Sequence, residues 1–426
     1  MGFIAIILIP IFFVLIQPMH DSMQRKYAWY DKSLMNRVYW MHVIMAVVYF
    51  LYTIFNRSDS REYFRKTSEA YNNWFEPYTT GTQFIHFLAY PFVNWLHFNY
   101  EMMMALFAFW GYLGFVCFYC YFKENMPKPL TWRGNDPMAV ILMLPNMHFW
   151  TSSLGKGSAI FLGLGMAIWG LSNPKKRWIL LVLGLLLVYH IRPHVFLFMA
   201  VGIGFGYFFG QQKKIPAWQK WAVVLGTIGG MVLLYDKILG FAGLDSENVV
   251  ESFDKFSGKR SFELSKSGSG VDMSNYPLVL KLFTFWFRPL FVDAPNALGI
   301  FVSLENLVYI LLTVELFKGK VVRWWLRSDA LVKSSFVIFI AASIALSSTM
   351  SNLGIIIRQK SMVMYFYFFV VLRYMYYRQY EMNAIAANDA LPAVTSDKHT
   401  TEERKAKYVR NKQGKILLKR NLFQMK

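Results

Sequence analysis

The chain has 426 residues, with 45 Lys and Arg against 25 Asp and Glu, a formal net charge of +20, and 55% hydrophobic and 18% aromatic residues. Charged residues make up only 16%, whereas soluble domains carry about 25%; the mean hydropathy is +0.31. These values exclude a soluble enzyme, a disordered chain and a disulfide-rich secreted module.

Apolar runs long enough to cross a bilayer predict an all-α, polytopic transmembrane helical bundle of about eleven spans. In chain order they fall near 2–18, 38–55, 100–122, 138–154, 157–172, 177–191, 193–210, 221–239, 296–317, 330–349 and 361–377. The runs are solidly apolar rather than alternating, which argues against a β-barrel. Two long segments interrupt the series, 56–99 and 236–295. Each ends in an aromatic stretch with polar breaks, Phe84 to Phe98 and Leu278 to Phe291, expected to lie flat at the membrane interface. The membrane domain is expected over 1–380 and a basic cytoplasmic tail over 381–426. Within the tail, 383–400 is expected to be mobile and 401–420 to be a basic helix at best. The first run lacks a basic leader and a cleavage site and reads as a retained span. Cys117 and Cys120 sit inside an apolar run and read as packing residues.

One set of loops, with the tail, holds 30 of the 45 basic residues. By the positive-inside rule that set is cytoplasmic, so the N-terminus is outside and the C-terminus inside. The same asymmetry explains the net charge as an orientation signal with anionic-lipid contact, and not as a nucleic-acid surface.

Polar residues then gather at the outer level. Lys156, Arg192, His194, Arg288 and Arg358 each stand in or beside an apolar run at the outer end of a span. A single arginine at such a place is commonly an interfacial anchor. Five cationic or protonatable groups at one level would instead form an anion-binding cup, for which the arginine fork suits phosphate oxygens. Pro145 through Gly157 is the most polar stretch of the central block, read either as a kinked hairpin or as a loop whose Lys156 and following helix N-terminus hold a phosphate. Asp59 lies just past the second span and is either a helix cap or a general base; Glu305 is the second candidate acid. The histidines show no metal-ligand spacing, so neither metal nor cofactor is expected. Gly202, Gly204, Gly206 and Gly210 read as helix-packing glycines.

These residues bring a resemblance. Asp59-Ser60-x-x-Tyr63, Gly81-Thr82-x-Phe84-Ile85-His86, Pro145 through Lys156, Arg192-Pro193-His194, Phe287-Arg288-Pro289 and Asn352-Leu353-Gly354 with Arg358 resemble bacterial multi-span proteins of polysaccharide-biosynthesis loci, in the style of Wzy- and EpsG-like polymerases. The resemblance implies glycan assembly from undecaprenyl-diphosphate-linked repeats at the outer face of a bacterial cytoplasmic membrane. Its partners would be a lipid-linked oligosaccharide, membrane lipids and other polysaccharide-assembly proteins. The outer cations, Lys156, Arg192, His194, Arg288 and Arg358, would hold diphosphate and sugars, and Asp59 or Glu305 would take the acceptor proton. The Asp59 region also resembles the first outer-loop acid of GT-C glycosyltransferases, which usually follows one span from a cytoplasmic N-terminus; here two spans precede it. A lipid-linked glycan transporter and a non-catalytic component of an export complex are the alternatives.

Overall fold

The computed structural model describes residues 2–211, isolated positions between 218 and 232, residues 249–266, 269–273, 275–294 and 297–382, and two tail segments, 408–410 and 416–418. The expected span 221–239, much of the start of the segment 236–295 and the stretch 383–400 lie largely or wholly outside these described residues. The chain divides into two units, Met1–Tyr376 and Tyr377–Lys426.

The first unit is a helical bundle. A hairpin opens it, α1 (Gly2–Lys26) and α2 (Lys32–Phe55). The polar α3 (Asp59–Glu69) and the short α4 (Thr82–Tyr90), extended by a π turn over Pro91–Trp95, follow. Then come α5 (Tyr100–Asn125), α6 (Pro137–Leu142), α7 (Pro145–Thr151), α8 (Lys156–Ser172), α9 (Pro174–Ile191) and α10 (Pro193–Phe209). The second half holds α11 (Val249–Ser265), α12 (Leu278–Phe287), α13 (Ala297–Leu316), α14 (Val321–Leu326), α15 (Ala330–Thr349), α16 (Leu353–Gln359) and α17 (Met364–Tyr376). Among the described residues five helices are long and apolar enough to cross a membrane, or up to seven if each of two bent helix pairs is one span. The protein is a multi-pass membrane protein of the all-α class.

Its core is aromatic. A helix apolar on every side belongs inside a bundle, and α5 and α17 are of that kind. Phe118 meets Tyr365 at 4.7 Å between ring centroids, and Tyr121 stacks on Phe369 at 4.2 Å. The Tyr121 hydroxyl lies 3.0 Å from Ser335 Oγ and ties this seam to α15. By contrast α1 and α2 keep Ile6, Leu15, Ile44 and Leu51 on the surface, where lipid is the apolar solvent. Of the glycines expected to pack helices, Gly202, Gly206 and Gly210 approach another helix closely. A Cβ on Gly206 would stand 2.0 Å from Ser334 Oγ, so α10 and α15 touch closely.

The expected span 138–154 is not one helix. Met143 breaks it, Asp136 caps α6, and Pro145 opens α7. The α7 and α8 axes then differ by 109° across Ser152–Gly155. Seven residues of α-helix reach only about 10 Å, so α7 enters the bundle and turns back into α8. Two of its polar side chains bond inside: His148 Nε2 lies 2.8 Å from the Leu142 carbonyl, which therefore receives its proton, and Thr151 Oγ1 donates to the Met147 carbonyl at 2.6 Å, whereas Asn146 Nδ2 is buried without a partner among the described residues. The stretches expected at the interface form α4 with its π turn and the ten-residue α12, both too short to cross alone. In the second unit, where a basic helix is expected, Tyr408–Arg410 and Ile416–Leu418 instead pair as an antiparallel two-stranded ribbon.

The α7–α8 turn depends on a glycine. A Cβ on Gly157 would lie 2.2 Å from the Trp150 carbonyl oxygen, a backbone atom that has to move to admit it. Gly157→Ala is therefore expected to destabilise the protein by about 2 kcal/mol, whereas Gly258→Ala on α11, with no atom within 4 Å of a new Cβ, is neutral or slightly stabilising. Thermal unfolding of the two purified variants checks this; equal midpoints would show that the close approach carries no energy.

Candidate functional site: a cationic cluster at one end of the bundle

The turn between α2 and α3 places Asp59 at one end of the bundle. Ser58 caps α3, and the Tyr49, Ser60 and Tyr100 hydroxyls hold that corner in a chain of contacts of 2.7 to 3.0 Å. The start of α8 brings Lys156 to the same end, and the junction of α9 with α10 brings Arg192 and His194. Gly81 N donates to the His190 carbonyl at 2.7 Å, so the loop before α4 is fastened beside Arg192. The fourth contributor is α16. Its cap Asn352 accepts from Ile355 N at 3.1 Å and from Ser269 Oγ at 2.9 Å. Val271 N donates to the Ser351 carbonyl and Leu353 N to the Ser269 carbonyl, both at 2.9 Å. Residues 269–271 thus form a strap across the start of α16, and α11 before it in the chain carries Arg260.

Arg358 on α16 makes an ion pair with Asp59, Nη1 to Oδ2 at 2.7 Å, and its guanidinium lies 5.7 Å from the Trp150 ring centre. Lys156 lies within electrostatic range of Arg192, Arg358 and Asp59, and Arg192 within range of Arg358, Tyr63 and Arg260. His194 feels Arg192, Lys156 and Arg260. Arg192 Nε is buried and has no hydrogen-bond partner among the described residues. Burial, then Asp59, raises the Tyr63 phenol above its ordinary range, so it stays a neutral donor beside the cations. Several cations facing one acid repel one another unless an anion joins them, and a buried donor without an acceptor is costly. The arrangement therefore suits a ligand with anionic oxygens.

Of the sequence-predicted residues, Asp59, Lys156, Arg192, His194 and Arg358 come together. Arg288 and Glu305 do not join them; they belong to a second cluster. Arg288 pairs with Asp293, five residues on. Glu305 is 4% exposed and accepts from Asn146 N at 2.5 Å and the Tyr309 hydroxyl at 3.2 Å. Lys360, fully buried, donates to Asn306 Oδ1 at 2.7 Å and to the Arg288 carbonyl at 2.9 Å, within electrostatic range of Glu305. A cavity of about 600 Å³ lies between the clusters, with Glu305, Asn146, Asn352, Trp150 and Arg358 on its wall. That volume is within the usual range for a small-molecule site. Sequence reasoning missed Arg260 in the first cluster and Lys360 in the second, and gave Tyr63, which it quoted beside Asp59, no role of its own. No group of three or more His, Cys, Asp or Glu that could hold a metal ion occurs among the described residues.

Comparison of the chain with family models, curated proteins and solved structures finds no match.

His86 fastens α4 to α3 beside this site. Thr67 Oγ1 donates to the Tyr63 carbonyl at 2.7 Å, so the His86 Nδ1 proton goes to Thr67 Oγ1 at 2.9 Å. Burial pushes this imidazole down to about 4. The unfolded chain, with an ordinary histidine near 6.5, binds the proton first, so this contribution to stability is intact above about pH 6.5 and is lost as pH falls toward 4. Expected is a smaller fall of the unfolding midpoint between pH 7.5 and 5.5 in His86→Gln than in the native protein. Identical falls would remove His86 from the acid limb.

Proposed function

We propose that the protein is a polysaccharide polymerase, transferring glycosyl units between undecaprenyl-diphosphate-linked glycans at the outer face of a bacterial cytoplasmic membrane. The observation that carries this reading is Arg192, a half-buried residue whose Nε is buried and has no partner among the described residues, set among Lys156, Arg358 and Arg260 with the carboxylate of Asp59 nearby. Departure of a diphosphate develops negative charge, and preorganised cations stabilise it most where water is scarce. In the reaction, an acceptor hydroxyl oxygen bonds to the anomeric carbon while the bond from that carbon to the phosphate oxygen breaks. The hydroxyl proton goes to Asp59, and the diphosphate leaves as an anion held by the arginine forks. An entering diphosphate competes with Asp59 for Arg358, which frees the carboxylate to act as base. Glu305, on the cavity wall, is the second candidate for that role.

The reading needs the cluster on the outer side. With about eleven passes, the N-terminus is then outside and the tail inside, in line with the basic asymmetry of the loops. A cysteine introduced as Lys255→Cys is expected to react with an impermeant reagent on intact cells, and one introduced as Arg410→Cys only after permeabilisation. The reverse pattern would put the cluster on the wrong side for this chemistry.

Arg192→Lys keeps the charge and loses the fork. It is expected to reduce glycan chain growth at least about tenfold, and Asp59→Asn about a hundredfold, while Lys123→Arg at the opposite end leaves it unchanged. Electrophoresis of extracted lipid-linked glycans reads the outcome, and full-length chains in both Arg192→Lys and Asp59→Asn would sink the mechanism. In a deletion strain, single repeats should accumulate on the outer leaflet; repeats trapped on the inner leaflet would identify a transporter instead.

A further inference from the structure

The turn between α3 and α4 presents an aromatic surface that the mechanism does not use. Trp74 stacks on Phe87 with centroids 5.1 Å apart and an interplanar angle of 7°, meets the edge of Trp95 at 5.2 Å, and donates its Nε1 proton to the Phe87 carbonyl at 2.9 Å. Around this anchored ring Phe75, Tyr78 and Trp95 remain 65%, 51% and 56% exposed. Trp95 ends the π turn after α4, and the turn that carries Phe75 and Tyr78 is internally bonded. Asn73 Oδ1 accepts from Phe75 N and Glu76 N at 3.1 and 3.0 Å, and Glu76 accepts from Asn72 N at 2.8 Å. The rings are therefore held outward by a fixed backbone.

Such a patch in a membrane protein is ordinarily a belt at the lipid interface. Here the same turn exposes Asn72, Asn73, Glu76 and Thr79 between the rings. It also follows directly on α3, whose exposed Glu62, Arg65 and Glu69 pair with one another. Exposed amide, carboxylate and ion-paired groups at one level mean a wet surface, because lipid satisfies none of them. Rings exposed to water and rimmed by polar groups mark a binding surface, and this mixture matches a sugar: the C–H face of a pyranose lies on an aromatic ring while its hydroxyl edge reaches amides and carboxylates.

The patch is continuous with the cationic cluster. His190 Nδ1 lies 2.8 Å from the Leu186 carbonyl and therefore carries the proton, so Nε2 accepts from the Tyr78 hydroxyl at 3.2 Å. Phe84 stacks on the same imidazole at 4.6 Å. Two residues further on stands Arg192. We infer that Phe75, Tyr78 and Trp95 form a carbohydrate-stacking subsite that holds the glycan chain of a substrate whose diphosphate lies at Arg192. This rests on the glycosyl-transfer reading, and it assigns the subsite to chain extension and not to chemistry.

The test uses the full chain in its parent cells. The double variant Phe75→Ser/Tyr78→Ser is expected to retain the first transfer, seen as repeat dimers, while mean chain length falls at least threefold. Phe75→Tyr/Tyr78→Phe, which keeps both rings and loses the bond to His190, is expected to keep normal lengths. A spin label on Phe75→Cys, in protein reconstituted in lipid nanodiscs, should be relaxed by a water-soluble nickel chelate more than by lipid-dissolved oxygen. Three results overturn the inference: unchanged lengths in the serine variant, equal shortening in the ring-keeping variant, or a label reached mainly by oxygen, which would make the rings a membrane anchor. Normal lengths in the serine variant while Arg192→Lys stops growth would remove the subsite alone. An unaltered glycan in the deletion strain would remove the polymerase reading and this inference with it.

Discussion

A cation inside a bundle needs a counter-charge, a ring face or water, and this requirement organises the protein more than any other. Lys360 and Arg358 meet it in two ways although only Gln359 separates them. Lys360 is enclosed by Asn306, the Arg288 carbonyl and the nearby Glu305. Arg358 turns to Asp59 and the Trp150 face. Residues two apart on a helical turn project to nearly opposite sides, so one short segment serves two clusters. In the enclosed one Lys360 and Glu305 are held by neighbouring groups, which ties α13 to the turn after α16. The other gathers Lys156, Arg192, Arg260 and Arg358 about Asp59 and leaves Arg192 Nε without an acceptor among the described residues, so it is read as the anion site, with Glu305 of the first on the wall of the cavity between them.

Everything that brings the cations together is local backbone work at helix ends. The sharp α7–α8 bend brings the start of α8 to Asp59, the break at Arg192-Pro193 ends α9 and starts α10 at the same level, and the Ser269–Val271 strap fixes α16. Each device uses residues that interrupt an apolar run: Gly155 and Gly157, Pro193, and Asn352. The long helices supply rigid walls through aromatic stacking and small-residue contacts, and the chemistry sits where the helices stop.

The class of fold and much of the cluster were legible for this same reason. Charged residues beside apolar runs are conspicuous, and Asp59, Lys156, Arg192, His194 and Arg358 all stand out as interruptions. Arg288 stands out equally and goes elsewhere, because Asp293 is close enough in sequence to capture it, and no one-dimensional pattern ranks that partner above a distant anion. Glu305 has the composition of a base, yet its oxygens are taken by Asn146 and Tyr309. Arg260 was illegible for the opposite reason: it sits in a polar helix where a basic residue looks like an ordinary solvated one. Lys360 was eclipsed by its neighbour. The interruption of 138–154 was legible in Pro145 and in the kinked hairpin read over Pro145–Gly157, but the 109° bend was not, since hydropathy averages over a window and is blind to the direction in which the chain leaves a proline.

The short α7 has a consequence for how the molecule is made. Asn146, His148, Thr151, Ser152 and Ser153 are all buried within or just after seven helical residues. Such a segment has too few apolar residues to partition into lipid by itself. Its histidine is roofed by Phe115 of α5 at 4.1 Å, and His42 of α2 stands 2.9 Å from it. A seat lined by helices already inserted is thus a precondition for its entry. Since α1, α2 and α5 are each long and apolar enough to cross a membrane by themselves, the expected order of assembly is these helices first and α7 afterwards, as a passenger of a half-built protein. The element that sets the geometry of the cationic end would in this way be seated only once the helices that line it are in place.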